Sequence, residues 1–371
     1  MSTDGSARTP CMNSGGDYRK LYYKTICVPI DSPTIKHALE TFQRSPSCST
    51  ITLMPGIYYE RIDLNLPSSK LPLLRENRGG GQQASLCIRA ASPEKGATLM
   101  HCSETPFFGE EACVHLASDC EESESTNRGS FHLEIQHLNV LHYTKGNNIW
   151  EGNTCVRVNG KNTLLSMENC TLQSDSGRGI VVTRGAQLLL RNSIIHDCAA
   201  TGLYVGVRSF SLLQNSNIIR NGFGTRRPSS AIIAQLDNTG NDIYDNAVPP
   251  GHSGVYIEST NSVIDNCLLA GNCLTALSVV RGGMAQIQNC DLMNNGSDAL
   301  TVHEINDLHL QNEPGFQQLL QGGIEVLGGG NNLGPPVTNP RELQIAKYRF
   351  RTPMPDWIYS GPRNITDQIS P

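Results

Sequence analysis

Between Asn153 and Ile305 one short phrase returns at a nearly fixed interval. It reads Glu168-Asn169-Cys170-Thr171-Leu172, Arg191-Asn192-Ser193-Ile194-Ile195, Gln214-Asn215-Ser216-Asn217-Ile218, Asp237-Asn238-Thr239, Asp265-Asn266-Cys267-Leu268-Leu269 and Gln288-Asn289-Cys290-Asp291-Leu292. The asparagines are separated by steps of 23, 23, 23, 28 and 23 residues. A second phrase keeps time with the first: Gly179-Ile180-Val181-Val182, Gly202-Leu203-Tyr204-Val205, Ala231-Ile232-Ile233-Ala234, Gly254-Val255-Tyr256-Ile257, Ala276-Leu277-Ser278-Val279 and Ala299-Leu300-Thr301-Val302. Two phrases locked together imply one structural unit per period.

Within each period the apolar alternation is two-fold, so the units are strands. A strand of four or five residues buries no face alone, and the period is too short for a strand, a crossover helix and two loops. The arrangement that fits is a coil of three short parallel strands, each stacked on its equivalent one turn later at about 4.8 Å. The expected fold is therefore all-β: a single-stranded parallel β-helix of about ten coils. Identical positions then fall in columns. Asn tolerates the left-handed backbone that a tight bend needs, and its amide both donates and accepts. Asn169, Asn192, Asn215, Asn238, Asn266 and Asn289 are accordingly expected to stack as an interior ladder.

The flanks follow from local signals. Met1 to about residue 20 has no periodicity and reads as a disordered leader. Ser32-Pro33 marks a helix start, with Ser32 as N-cap, and Ile35, Ala38, Leu39 and Phe42 give a helical stripe over 33–44. That helix is expected to cover the open N-terminal sheet edges. The acidic stretch Glu110 to Arg128 reads as a solvated insertion. The β-helix is placed at 21–330, and 331–371 is expected to be an irregular C-terminal cap.

Composition removes several classes of function. A formal net charge of −5 gives no basic face for nucleic acid, and no apolar run is long enough to span a membrane. The polar N-terminus lacks the apolar core of a secretory signal. The chain is accordingly expected inside the cell, in the cytoplasm, and its 13 cysteines are expected as free thiols. Cys170, Cys267 and Cys290 share one repeat position, which suits small buried hydrophobes. The histidine pairs lack cysteine or carboxylate at ligand spacing, so neither metal nor cofactor is expected.

The order of a helix, Ser49-Thr50-Ile51-Thr52-Leu53, Pro55-Gly56-Ile57-Tyr58-Tyr59-Glu60 and then Asn-bearing coils resembles the right-handed parallel β-helices of the pectin lyase-like superfamily. Gly56-Ile57-Tyr58-Tyr59-Glu60 looks like the first-coil segment of pectin methylesterases. Similar segments open non-catalytic β-helices, including those of F-box substrate-recognition proteins and of adaptor-binding mitotic proteins. The resemblance implies the fold and right-handedness, and leaves both enzyme and binder open.

In β-helix enzymes of this superfamily the catalytic groups sit on an exposed sheet face. Registering the second phrase gives outward columns containing Val181, Tyr204, Tyr256 and Ser278, and Thr183, Gly206, Glu258 and Val280. Only Glu258 among them is a carboxylate, whereas glycoside hydrolysis needs two close together. The pairs of Asp and the other segments that the family's esterases, hydrolases and lyases carry are missing, and Gly251-His252-Ser253 matches only in part. The reading is a non-catalytic scaffold whose exposed face binds a partner, a protein, through Tyr204, Tyr256, Glu258, Arg184, Arg208 and Arg281. The three arginines follow equivalent strands and suggest a basic rail for an acidic peptide or an anionic polymer. Tyr204 and Tyr256 are expected two coils apart, about 10 Å. The competing reading is a carbohydrate-active enzyme, pectinesterase-, lyase- or epimerase-like, acting on an acidic polysaccharide, with Glu258 and His252 as its candidate groups.

Overall fold

The computed structural model describes residues 24–44, 48–66, 84–103, 112–118, 130–144, 153–224, 251–280, 282–302, 323–327 and 331–334. The readings of the leader, of Asn238 and Arg281, and of the C-terminal cap beyond residue 334 lie outside them. Every strand pairing is parallel, and the strands form sheets of ten, eight and nine members. In each sheet a strand pairs with the strand one coil earlier and one coil later, which is a parallel β-helix. Alternation selects what points inward. Ile62, Val114, Val156, Ile180, Leu203, Val255 and Leu277 succeed one another in register, each 0% exposed. Burying such a side chain is worth about 1.5–3 kcal/mol, so the column holds its rungs together.

Helix α1 (Ile35–Arg44) covers the N-terminal end, packing on the strands Lys24–Val28, Cys48–Leu53 and Ile62–Leu66. Its buried stripe is Ile35, Ala38, Leu39 and Phe42, as the spacing predicts. The cap is Thr34 and not Ser32. The Thr34 hydroxyl accepts from the His37 amide at 3.0 Å, and its carbonyl takes the first helical bond from Ala38. Glu60 completes the cap: its two carboxylate oxygens accept from the amides of Ile35 at 3.1 Å and Lys36 at 3.0 Å. The Tyr58 hydroxyl lies within bonding distance of the carbonyls of Met54 and Val28. The Gly56 to Glu60 motif therefore fastens the first coil to the capping helix.

The bends follow the repeat, but the ladder is elsewhere. Asn169, Asn192, Asn215, Asn266 and Asn289 all have φ between 47° and 54°. A left-handed residue here throws its own side chain outward and its successor inward. Asn169, Asn215 and Asn289 are exposed and Asn192 and Asn266 half-buried, and Asn266 reaches Asn215 along the outside at 2.6 Å. The interior column is the next residue: Cys170, Ser193, Ser216, Cys267 and Cys290, each at most 1% exposed. There Ser193 Oγ accepts from the Cys170 amide and Ser216 Oγ from the Ser193 amide.

The buried asparagine ladder lies at a second bend, after the left-handed residues Asp197, Arg220, Gly271 and Asn294. Asn221, Asn272 and Asn295 are 0%, 0% and 1% exposed. The Asn221 amide and its Nδ2 both donate to Asn272 Oδ1 at 3.1 Å, and those of Asn272 donate to Asn295 Oδ1 at 3.0 Å. Nδ2 of each also reaches a backbone carbonyl one coil earlier, at Ile195, Ile218 and Leu269. Full satisfaction is what makes so polar a column tolerable inside.

Two further expectations are corrected. The strand Val114–Ser118 lies within the supposed acidic insertion and is wholly buried. The Asn238 phrase lies outside the described residues, and the coils on either side of it are adjacent: Leu203–Val205 pairs directly with Val255–Ile257, Phe210–Gln214 with Asn261–Asp265 and Asn217–Ile219 with Leu268–Ala270. Asn215 and Asn266, 51 residues apart, are thus neighbours. At the C-terminal end the rungs continue past residue 330, since Asn332–Leu333 pairs with Asp291–Leu292.

Candidate functional site

The outer face of the eight-stranded sheet carries one row, in register, of Asp63, His115, Arg157, Val181, Tyr204, Tyr256, Ser278 and Thr301. Parallel to it run Thr183, Gly206, Glu258 and Val280, whose amides bond to the carbonyls of successive rungs. These are the columns the repeat predicts. Their strands pair directly, however, so Tyr204 and Tyr256 stand on adjacent rungs.

That adjacency makes a cluster. The two tyrosine rings stack with centroids 5.6 Å apart and planes 14° from parallel. On the neighbouring rung at the other side, the Arg178 guanidinium carbon lies 4.9 Å from the Tyr204 ring centroid. Tyr204 is thus enclosed on both faces. Its hydroxyl donates to Glu258 Oε2 at 2.9 Å, and Glu258 is only 6% exposed. At Gly206 a Cβ would touch Tyr204 Cε1 at 3.4 Å and Thr183 Cγ2 at 3.3 Å, so the glycine leaves slightly more room beside the Tyr204 ring. Beside the cluster Ser253, Thr275 and Ser278, all buried, share hydrogen bonds of 2.7–2.8 Å.

Nearer the N-terminal end, Asp63 Oδ1 lies 3.2 Å from His115 Nδ1, and Arg61 pairs with the same carboxylate. Burial pulls the Asp63 carboxyl upward, but the hydrogen bond from His115 and the charges of Arg61 and His115 outweigh it and leave the group below its ordinary value. An ionised Asp63 fixes the proton on His115 Nδ1. His115 Nε2 makes no hydrogen bond with a described residue and reaches solvent.

The other predicted groups do not join this cluster. Arg184 and Arg208 are exposed left-handed bend residues, with φ of 54° and 62°. Val182 pairs with Val205 and Gln187 with Phe210, so Arg184 opposes Val207 and Arg208 opposes Gly185. They are one residue out of register and make no rail. His252 and Glu258 stand at opposite ends of Val255–Ile257. Glu258 and Asp63 are separated by five rungs, about 24 Å, too far to act as the paired carboxylates of a glycosidase. Arg178, Asp63, His115 and Arg157 went unnoticed in the sequence because none of them belongs to either repeated phrase. Among the described residues no group of three or more His, Cys, Asp or Glu is placed to hold a metal ion. No described helix is long and apolar enough to cross a membrane.

Residues 135–284 match the family model described as a right handed beta helix region. A search of curated proteins returns no match. Among solved structures, the chain is similar to the A-module of the mannuronan C-5 epimerase AlgE4 of Azotobacter vinelandii, at 11% identity and a TM-score of 0.40, over 80% of this chain and 83% of that one. It is similar to the periplasmic alginate epimerase AlgG at 12% identity and a TM-score of 0.34, over 78% and 73%. It is similar also to the pectate lyase Pel9A at 10% identity and a TM-score of 0.31, over 85% and 82%. Likenesses of this size carry no inference about chemistry. With three parallel sheets and residues 135–284 matching the right handed beta helix model, the chain folds as a right-handed parallel β-helix.

Proposed function

We propose that the outer face of the eight-stranded sheet is a recognition surface for a protein partner and that the chain is a non-catalytic scaffold. The observation that carries this reading is the Arg178–Tyr204–Tyr256 stack with Glu258 on the Tyr204 hydroxyl. Side chains held in one geometry lose little entropy on binding, and ordered aromatics and arginines dominate protein interfaces. Sugar binding to an aromatic requires an open ring face. Tyr204 has neither face open, whereas a protein surface can use ring edges. Tyr204→Ala and Tyr256→Ala, with circular dichroism unchanged, are expected to lose partner capture in a pull-down. Undiminished capture would remove this face from the account.

A second reading is supported by Asp63 and His115. A carboxylate that fixes the tautomer and leaves Nε2 facing solvent is the arrangement of a general base, and Arg157 stands on the next rung. On this reading the chain is a carbohydrate-active enzyme that moves a proton on an acidic polysaccharide. Incubation with alginate and pectate, followed by absorbance of unsaturated products and by anomeric NMR signals, tests it. Turnover abolished by His115→Ala would establish the enzyme and displace the scaffold.

A further inference from the structure

We propose that Arg178 anchors a carboxylate-binding subsite on this face, and that the partner reaches it with an acidic peptide segment. The proposal rests on the reading of the face as a protein-binding surface and adds the chemistry of what binds.

The argument starts from what Arg178 does not do. Its residue is half-buried and its guanidinium lies against Tyr204, yet no nitrogen of the side chain makes a hydrogen bond or an ion pair. Nε is buried without an acceptor, and the two Nη groups reach solvent. A guanidinium carries five N–H donors and no acceptor, and cannot shed its charge. A buried Nε–H without an acceptor is unfavourable unless one arrives from outside.

The surroundings fit an incoming oxyanion. The Tyr204 ring holds the guanidinium plane, and Tyr204 is itself held by Tyr256 and Glu258. A fixed guanidinium edge matches the two oxygens of a carboxylate in a bidentate pair. Glu258 lies two rungs away, near the opposite end of its strand, and accepts from the Tyr204 hydroxyl, so it does not compete for Arg178. A uronate sugar would bring the same carboxylate but finds no open face on Tyr204, whereas an aspartate or glutamate side chain needs only the guanidinium edge.

The test uses the full chain labelled with 15N-arginine, with the Arg178 Nε–H signal assigned by its loss in Arg178→Lys. An acetylated, amidated tetraglutamate peptide is titrated against it, beside a tetraglutamine peptide, inorganic phosphate and an oligogalacturonate. The expected result is a saturable shift of the Arg178 signal with tetraglutamate alone. Affinity measured by anisotropy of the labelled peptide should fall at least about tenfold in Arg178→Gln and partly in Arg178→Lys, which keeps the charge but loses the fork. No saturable shift, or an affinity unchanged in Arg178→Gln, overturns the subsite. A response to phosphate alone overturns the carboxylate assignment, and tighter binding of oligogalacturonate than of peptide overturns the peptide assignment. Partner capture separates this proposal from the one it rests on. Capture lost in Tyr256→Ala but kept in Arg178→Gln leaves the face standing without the subsite; capture kept in both removes the face itself.

Discussion

The Tyr204 hydroxyl donates to Glu258 across two adjacent rungs at 2.9 Å, joining an aromatic on one outer column to a nearly buried carboxylate on the next. Their positions are fixed by strand register, and register is fixed by the inward column of Leu203 and Val255 beneath them. A one-residue slip would turn both groups into the core.

Tyr204→Phe keeps the ring stack and removes the donor, leaving Glu258 without this bond. The expected loss is about 1–3 kcal/mol, read as a lower midpoint in urea denaturation. Glu258→Gln in the same background should recover part of it, because a neutral amide is cheaper to bury than a carboxylate. A Tyr204→Phe variant as stable as the parent would mean the bond contributes nothing.

The two asparagine columns should respond differently to glycine. At Asn215 the side chain is exposed and the backbone left-handed; glycine accepts that backbone, so Asn215→Gly should change stability by less than about 1 kcal/mol. Asn272→Gly removes a buried amide that bonds on both sides and should cost more than about 2 kcal/mol. Thermal or urea unfolding of the pair gives the comparison directly, and equal effects would contradict the ladder assignment.

Glu60→Ala uncaps helix α1. Two amides lose their acceptor and the helix N-terminus loses a negative charge, at a cost of about 1–2 kcal/mol. Hydrogen exchange should show the Ile35 and Lys36 amides losing protection first.

The pH dependence follows from Asp63. Its folded carboxyl sits below its unfolded value, near about 3.9, because His115 and Arg61 outweigh the effect of burial. The stability it adds is complete above the unfolded value and is lost as pH falls through the folded one. Asp63→Asn should therefore reduce the fall in melting temperature between about pH 6 and about pH 3. A half-exposed group of this kind contributes a modest share, so the difference between the two curves is the quantity to read.

Native-state alkylation should sort the thiols by burial. Nine of the described cysteines are free thiols. Burial pushes Cys170 up to about 12 and Cys87 to about 11, and raises Cys267 as well. Since the thiolate is the reactive form, Cys170, Cys198 and Cys267 should stay unlabelled at neutral pH in the folded chain and react once it is denatured. Cys27 and Cys273, less enclosed, should label first.

Much of this was legible in the sequence because a solenoid writes its geometry as a period. The inward column, the outward columns of Tyr204 and Glu258, the left-handed Asn bends and the stripe on α1 all follow from two-fold and helical spacing. The ladder was misplaced because conformation and burial are separate demands: Asn169 and its equivalents answer the first, Asn221 and its equivalents the second, and both columns keep a similar interval. Counting the Asn238 phrase as a rung set Asn215 and Asn266 two coils apart, whereas the strands that flank them pair directly with one another in the sheets. Register then misled on distance, setting Tyr204 and Tyr256 two coils apart where they are stacked. Arg178 and the Asp63–His115 pair bear no periodic mark at all, since what brings them into the site is lateral pairing between coils.

The central claim is that this face binds a protein through the tyrosine cluster, and capture by immobilised chain measures it most directly. Wild type, Tyr204→Ala, Tyr256→Ala and a control on the ten-stranded sheet, Gln187→Ala, are compared by quantitative mass spectrometry of bound protein, with folding checked by circular dichroism. The account predicts a protein retained by wild type and Gln187→Ala and lost from both tyrosine variants. Equal retention by all four folded chains would contradict it.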